Sequence, residues 1–208
     1  MKININKEEF KRACIFSLAM VLIAGTAYTT LEPVVTRASA TANDSVNVNL
    51  AVDPTISISS PADVSMSPDI TGSGASTGSA AWAVTTNSAT GWKLEVNASA
   101  SPAMVSGSNN FPDYSEAISG TPETWSVAAS AAAFGFSASG TYAEAGFSSA
   151  TKYEGFKGAT KVQVAHHSTG PDAGDSTTVG FKAEVGASKV QPTGSYQAVI
   201  TATATSLP

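Results

Sequence analysis

From Val46 onward the apolar residues of this chain recur at every second position, a period that builds extended strands and not helices. Val46, Val48, Leu50 and Val52 alternate with Asn47, Asn49 and Ala51, the pattern of a half-buried strand. Ile56 and Ile58 alternate with serines, and Ala80, Trp82 and Val84 continue the phase. Trp92, Leu94, Val96 and Ala98 then alternate with Lys93, Glu95 and Asn97. Further along come Phe134 and Phe136, Val162 and Val164, and the run Val179, Phe181, Ala183, Val185. The last run sets Tyr196, Ala198, Ile200, Ala202 and Ala204 on one face and Gln197, Thr201, Thr203 and Thr205 on the other. Turn-forming clusters separate the runs: Asp53-Pro54, Ser60-Pro61, Gly72–Gly78, Ser88–Gly91, Ser106–Asn110, Gly170–Asp175 and Gln191–Gly194. The pattern predicts about ten short strands, with Ala128–Ala133 the one stretch read as a helical turn. The expected fold is all-β, an antiparallel β-sandwich or jelly-roll-like domain over 41–208, with no linker or internal repeat.

Composition limits what such a sandwich can bury. Hydrophobic residues make up 42% of the 208, but Ala, Ser and Thr together supply roughly four residues in ten. The core is therefore expected to be thin, with its bulk concentrated at a few Val, Ile, Phe and Trp positions.

The first forty residues read as a secretory leader. Lys2, Lys7, Lys11 and Arg12 form a basic start, Ala13–Gly25 is an uncharged apolar run, and Ala38-Ser39-Ala40 offers a small-x-small cleavage site. An earlier cut after Ala27 and a retained anchor are the alternatives, although the apolar run is interrupted before the ~20 residues that span a bilayer. Cys14, the only cysteine, precedes most of that run, which argues against lipid modification.

The leader holds five of the 11 basic and three of the 16 acidic residues, which leaves six lysines, no arginine and thirteen acids after Ala40. A net charge near −7 repels polyanions, so nucleic acid is excluded as a partner. Without a cysteine, the exported chain has neither disulfides nor thiolate metal ligands.

No catalytic constellation emerges. Gly74-Ala75-Ser76-Thr77-Gly78 matches G-x-S-x-G, but that motif works at a strand–turn–helix junction, and here it leads into a strand. Ser149-Ala150-Thr151-Lys152 matches S-x-x-K without a helix to carry it. His166 and His167 are adjacent and point to opposite faces of a strand, so they do not chelate one ion together. Asp172 and Asp175 sit in a Gly-rich loop that lacks the dense acidic spacing of a calcium loop. Glu95, Asp113 and Glu154 are scattered carboxylates that nominate no glycosidase pair. Trp82, Trp92 and Trp125 could stack on sugars, yet Trp82 and Trp92 fall in phase with buried positions. The sequons at Asn43 and Asn97 have meaning only in a eukaryotic secretory pathway. No cofactor, catalytic residue or metal ligand is assigned.

Two segments together resemble the WxL domain, a cell-surface domain of Gram-positive bacteria. Gly91-Trp92-Lys93-Leu94-Glu95-Val96 has the form W-x-L-x-V. The terminal Gly194-Ser195-Tyr196 through Ile200-Thr201 resembles the closing strand, G-x-Y-x-x-x-I-T, with Ala202 and Ala204 at the places of the second Trp and Leu, and Pro208 ending the chain. The resemblance implies an exported β-sandwich held non-covalently at the cell wall, with Trp92, Leu94, Val96, Tyr196 and Ile200 as the candidate wall-motif residues and peptidoglycan or other surface proteins as partners. The alternatives are a structural subunit of a surface filament or array, which the flat Thr/Ala strand 194–205 would suit as a homo-oligomer, and a carbohydrate-binding module.

Overall fold

The computed structural model describes residues 40–208; the expected leader, through Ser39, lies outside them. The chain divides into two units, Met1–Leu50 and Ala51–Pro208. Residues 40–50 carry no regular secondary structure, and every strand among the described residues belongs to the second unit.

Eleven strands follow one another: β1 (Ile56–Ile58), β2 (Gly74–Thr86), β3 (Trp92–Ala98), β4 (Met104–Ser106), β5 (Asn109–Phe111), β6 (Glu123–Thr124), β7 (Ala132–Ser139), β8 (Lys152–Tyr153), β9 (Val162–His167), β10 (Asp172–Val185) and β11 (Ile200–Ser206). A 3-10 turn occupies Ala145–Phe147. One sheet has the order β1-β2-β10-β7 and another the order β11-β3-β9; β4 pairs with β5, and β6 with β8. All these pairings are antiparallel. The protein is an all-β, antiparallel sandwich-like domain.

The period-two pattern accounts for the core. Leu94, Val96 and Trp92 of β3 are fully buried, as are Val179 of β10 and Val84 of β2. The bulk that composition withholds elsewhere is gathered in one phenylalanine cluster, where Phe136 lies 4.5 Å from Phe156 and 5.7 Å from Phe147, ring centre to ring centre. Small residues face one another across β2 and β10, where Ala83 pairs with Ser176 and Ser79 with Gly180, so large side chains are needed on the inner faces only.

Strand β7 departs from alternation, with seven consecutive buried residues from Ala132 to Ala138. The cause is cover on its outer side. Tyr114 N–H donates to the Phe134 carbonyl, and Phe136 and Glu154 exchange backbone hydrogen bonds. A Cβ at Gly135 would meet the Glu154 carbonyl and the Tyr114 side chain, so glycine permits the close cover.

Three expectations are corrected. Val46–Val52 is not a half-buried strand: the segment has no regular secondary structure and its apolar side chains are exposed, because alternation records a strand's preference for two faces and supplies no partner. Ala128–Ala133 is not a helical turn as a whole; a tight turn is closed by Ala131 N–H on the Ala128 carbonyl, and Ala132 and Ala133 already belong to β7. Parts of the expected turns Gly72–Gly78 and Gly170–Asp175 are strand, since β2 starts at Gly74 and β10 at Asp172. Among the described residues no helix is long and apolar enough to cross a membrane.

Truncating the aromatic cluster should be costly. Phe136→Ala is expected to lower unfolding free energy by about 3–5 kcal/mol in urea titration, with an unchanged denaturant slope.

Candidate functional site

The paired residues of the two segments that resemble the WxL domain are 102 to 114 positions apart, yet the segments form neighbouring strands. In the β11–β3 register Ile200 faces Ala98, Ala202 faces Val96, Ala204 faces Leu94 and Ser206 faces Trp92. Residues directly opposite each other share a sheet face, so Ala202 and Ala204 lie on the buried side beside Val96 and Leu94. Trp92, Leu94 and Val96 are fully buried, whereas Tyr196 and Ile200 are half-buried. The Tyr196 ring stands edge-on to Phe111 at 4.9 Å, and its hydroxyl donates to the Pro192 carbonyl at 2.7 Å. The chain end is fastened to the first motif: Thr90 Oγ1 donates to the Leu207 carbonyl at 2.7 Å, and Leu207 N–H donates to the Gly91 carbonyl at 3.0 Å.

A polar cluster surrounds the buried tryptophan. Trp92 Nε1–H donates to Asp172 Oδ2 at 2.7 Å, and His167 Nδ1 lies 3.0 Å from the same oxygen. Asp172 Oδ1 accepts the Gly174 and Asp175 N–H groups at 3.1 and 3.2 Å. His167 Nε2 is 2.9 Å from Thr169 Oγ1, and its ring stacks on Tyr142 at 3.7 Å. Tyr142 and His167 both meet the indole edge-on, at 6.2 and 6.3 Å. Burial alone would push the Asp172 carboxyl up, but hydrogen bonds from Trp92, His167 and Gly174 outweigh it and hold the group below the usual carboxylate range. Trp92 sits on β3 and Asp172 on β10, so one charge-assisted hydrogen bond joins the two main sheets.

Local backbone makes the cluster possible. Gly91 has φ +87°, and a Cβ there would run into the His167 carbonyl. Gly174, at φ +122°, sits where the β10–β2 register shifts, a bulge that turns its N–H toward Asp172.

Asp172, His167 and the Thr169 hydroxyl form a relay in outline, and the two residues that follow Thr169 offer it no free amide. Gly170 N–H donates to the Ala89 carbonyl, and Pro171 has no N–H. His167, Asp172 and Asp175 also bring ligand atoms within 4.8 Å of one another. Both Asp172 oxygens already accept N–H donors, so the cluster's geometry is that of an anion held in a donor cage.

The other candidates are dispersed. Ser76 of the G-x-S-x-G match lies inside β2, buried and paired with Ala183, not at a strand–helix elbow. Ser149 lies in a left-handed turn, with φ 54°, ahead of the short strand that carries Lys152. His166 and His167 pair with Lys93 and Trp92 respectively; His166 is exposed and His167 half-buried, as opposite faces require. Trp125 donates to Glu184 at 2.7 Å and is stacked on Tyr114 at 4.5 Å, with Lys182 Nζ 5.0 Å from its centre. Glu95 is paired with Lys93 at 3.0 Å, Asp113 accepts the Ala103 N–H at 2.9 Å, and Glu154 holds Lys157 at 2.6 Å. Asp172 as the indole's partner was missed in the sequence because 80 residues separate the two; the only signal was its place in the loop after His167.

A depressed carboxyl stabilises the fold above its ordinary value, ~3.9, and loses that contribution as pH falls through the folded value. Wild-type stability should therefore drop below about pH 4, measured by urea titration at each pH, and Asp172→Asn should flatten that part of the slope. At neutral pH the same variant is expected to cost about 1–3 kcal/mol. Gly91→Ala should be at least as damaging, since it adds strain to a collision. Comparison with protein-family models, with curated proteins and with solved structures finds no match.

Proposed function

We propose that the chain is an exported, non-catalytic surface protein that associates non-covalently with the bacterial cell wall. The observation that carries the reading is the pairing of β3 with β11. The strands that resemble the WxL domain lie side by side, with Trp92, Leu94 and Val96 turned inward and a polar ladder turned outward.

That outer ladder is the surface suited to a wall polymer. Thr201 stands opposite Asn97, Thr203 opposite Glu95 and Thr205 opposite Lys93. On the other side of β3, Gln163 pairs with Glu95 and His166 with Lys93. Hydroxyl and amide side chains both donate and accept, which matches the hydroxyl and acetamido groups of a glycan. The buried W-x-L-x-V residues then act through the sheet they hold flat, not by touching the polymer. Export is supported by the basic, apolar and small-x-small order of residues 1–40, and the non-catalytic reading by the strand setting of Ser76 and the occupied amides after Thr169.

Co-sedimentation with purified peptidoglycan tests the proposal. The wild type is expected in the pellet, and Asn97→Lys combined with Thr203→Lys should weaken retention about tenfold or more without shifting the melting curve. Wild-type protein left in the supernatant would contradict wall association, and equal retention of both would contradict this face as its surface.

A further inference from the structure

The chain that follows β1 leaves the sheet and then comes back to it. Ser59 N–H donates to the Ala83 carbonyl at 2.9 Å, and Ser67 exchanges backbone hydrogen bonds with Thr77 at 2.8 and 3.0 Å. Between these two ties Val64 and Met66 lie against Gly78, where a Cβ would strike the Val64 side chain. The loop is thus held at both ends and in its middle. It forms part of an open groove of about 1140 Å³ that the sandwich leaves unfilled.

The groove is apolar where it meets the core. Val64, Met66 and Ile70 line it, together with Trp82 of β2 and with Tyr196 and Ile200 at the approach to and start of β11. All six pack against the core and stay only half-buried. Met104 lines it as well as Met66, and the only other methionines, Met1 and Met20, fall in the expected leader. Methionine adapts its shape to apolar partners of varied outline. Of the three tryptophans, Trp92 and Trp125 give their indole N–H to carboxylates, whereas that of Trp82 has no partner among the described residues.

Charge in the lining has one sign. Asp63 and Asp69 are its only charged residues; both are exposed, and among the described residues neither carboxylate has a hydrogen-bond or ion-pair partner. On the Tyr196 side the polar groups are committed: Gln191 Nε2 donates to the Asn110 carbonyl and to Tyr196 Oη, both at 2.9 Å, and the Tyr196 hydroxyl donates to the Pro192 carbonyl. The amide and hydroxyl that would hold a glycan are therefore bonded already. An ammonium group finds two uncommitted carboxylates, and an apolar side chain finds Met66 and Trp82.

We propose that this groove binds a peptide that carries cationic side chains among apolar ones, with its ammonium groups on Asp63 and Asp69 and its apolar side chains against Met66, Trp82 and Ile200. Apolar contact supplies most of the affinity, and the acidic lining selects the sign of the partner's charge. Binding here neither requires wall association nor follows from it.

Titration of the nitrogen-labelled protein, exported from an expressing bacterial host, tests the proposal by NMR. The probe is acetyl-Lys-Val-Leu-Lys-Val-amide, and it is expected to shift the Trp82 indole N–H in a saturable way while those of Trp92 and Trp125 stay in place. The counterparts with Glu for both Lys, and with Ser for Val and Leu, should each bind at least tenfold more weakly. Asp63→Asn combined with Asp69→Asn should weaken the lysine peptide about tenfold or more with an unchanged melting curve, since both positions are exposed. A Trp82 signal that the lysine peptide leaves unmoved overturns the proposal. Equal affinity for the glutamate peptide overturns the role of the two aspartates, and equal affinity for the serine peptide overturns the apolar groove. A chitotetraose that moves the Trp82 signal when the lysine peptide does not would make the groove a glycan site and overturn the inference.

Discussion

The bond from the Trp92 indole to Asp172 is the constraint around which the sandwich is organised. It is buried, it is charge-assisted, and it runs between strands of different sheets. Removing a tryptophan N–H from water without a partner would be costly, so the fold has to bring an acceptor from the other sheet to that depth. Asp172 in turn needs donors of its own, which the bulge at Gly174 and the ring of His167 provide. Among the described residues no buried side-chain polar atom is left without a partner. The short passage from β9 to β10, which carries the chain from one sheet to the other, is fixed by the same cluster.

A chain so rich in alanine, serine and threonine cannot distribute bulk evenly, and the structure does not try to. Phenylalanines 134, 136, 147, 156 and 181 form one cluster, and Trp92 with Tyr142 and His167 forms a second. Between them, small residues let strands pair over long stretches, as β2 does with β10 from Gly74 to Thr86. The same economy leaves the groove beside β11 unfilled. Ala198 and Ala80 line walls that larger residues would have closed, so the composition that allows long pairing also leaves an open groove.

Legibility in the sequence followed from how local each cause is. Trp92–Ala98 and Val179–Val185 were readable because alternating bulk against polar residues is a property of the segment itself. Val46–Val52 has the same property, and the reading failed there because pairing depends on a neighbour that the segment does not contain. Strand β7 was only partly readable: Phe134 and Phe136 gave the phase, but burial of the intervening Gly135 depends on Tyr114 and Glu154, which lie 21 and 19 positions away. The short pairs β4–β5 and β6–β8 carry too few residues to show a period. The motif residues Trp92, Leu94 and Val96 were legible as buried, but their bond to Asp172 was not, since nothing in either segment names the other.

Hydrogen exchange at the Trp92 indole, followed by NMR on the nitrogen-labelled protein, tests the central role of this bond most directly. If the indole–Asp172 contact holds the two sheets together, the Trp92 Nε1–H should exchange only through global unfolding, as slowly as the most protected amides of β3 and β10. Asp172→Asn should speed that exchange in proportion to the stability lost. An indole proton that exchanges within the dead time, while the amides of β3 and β10 stay protected, would contradict the account.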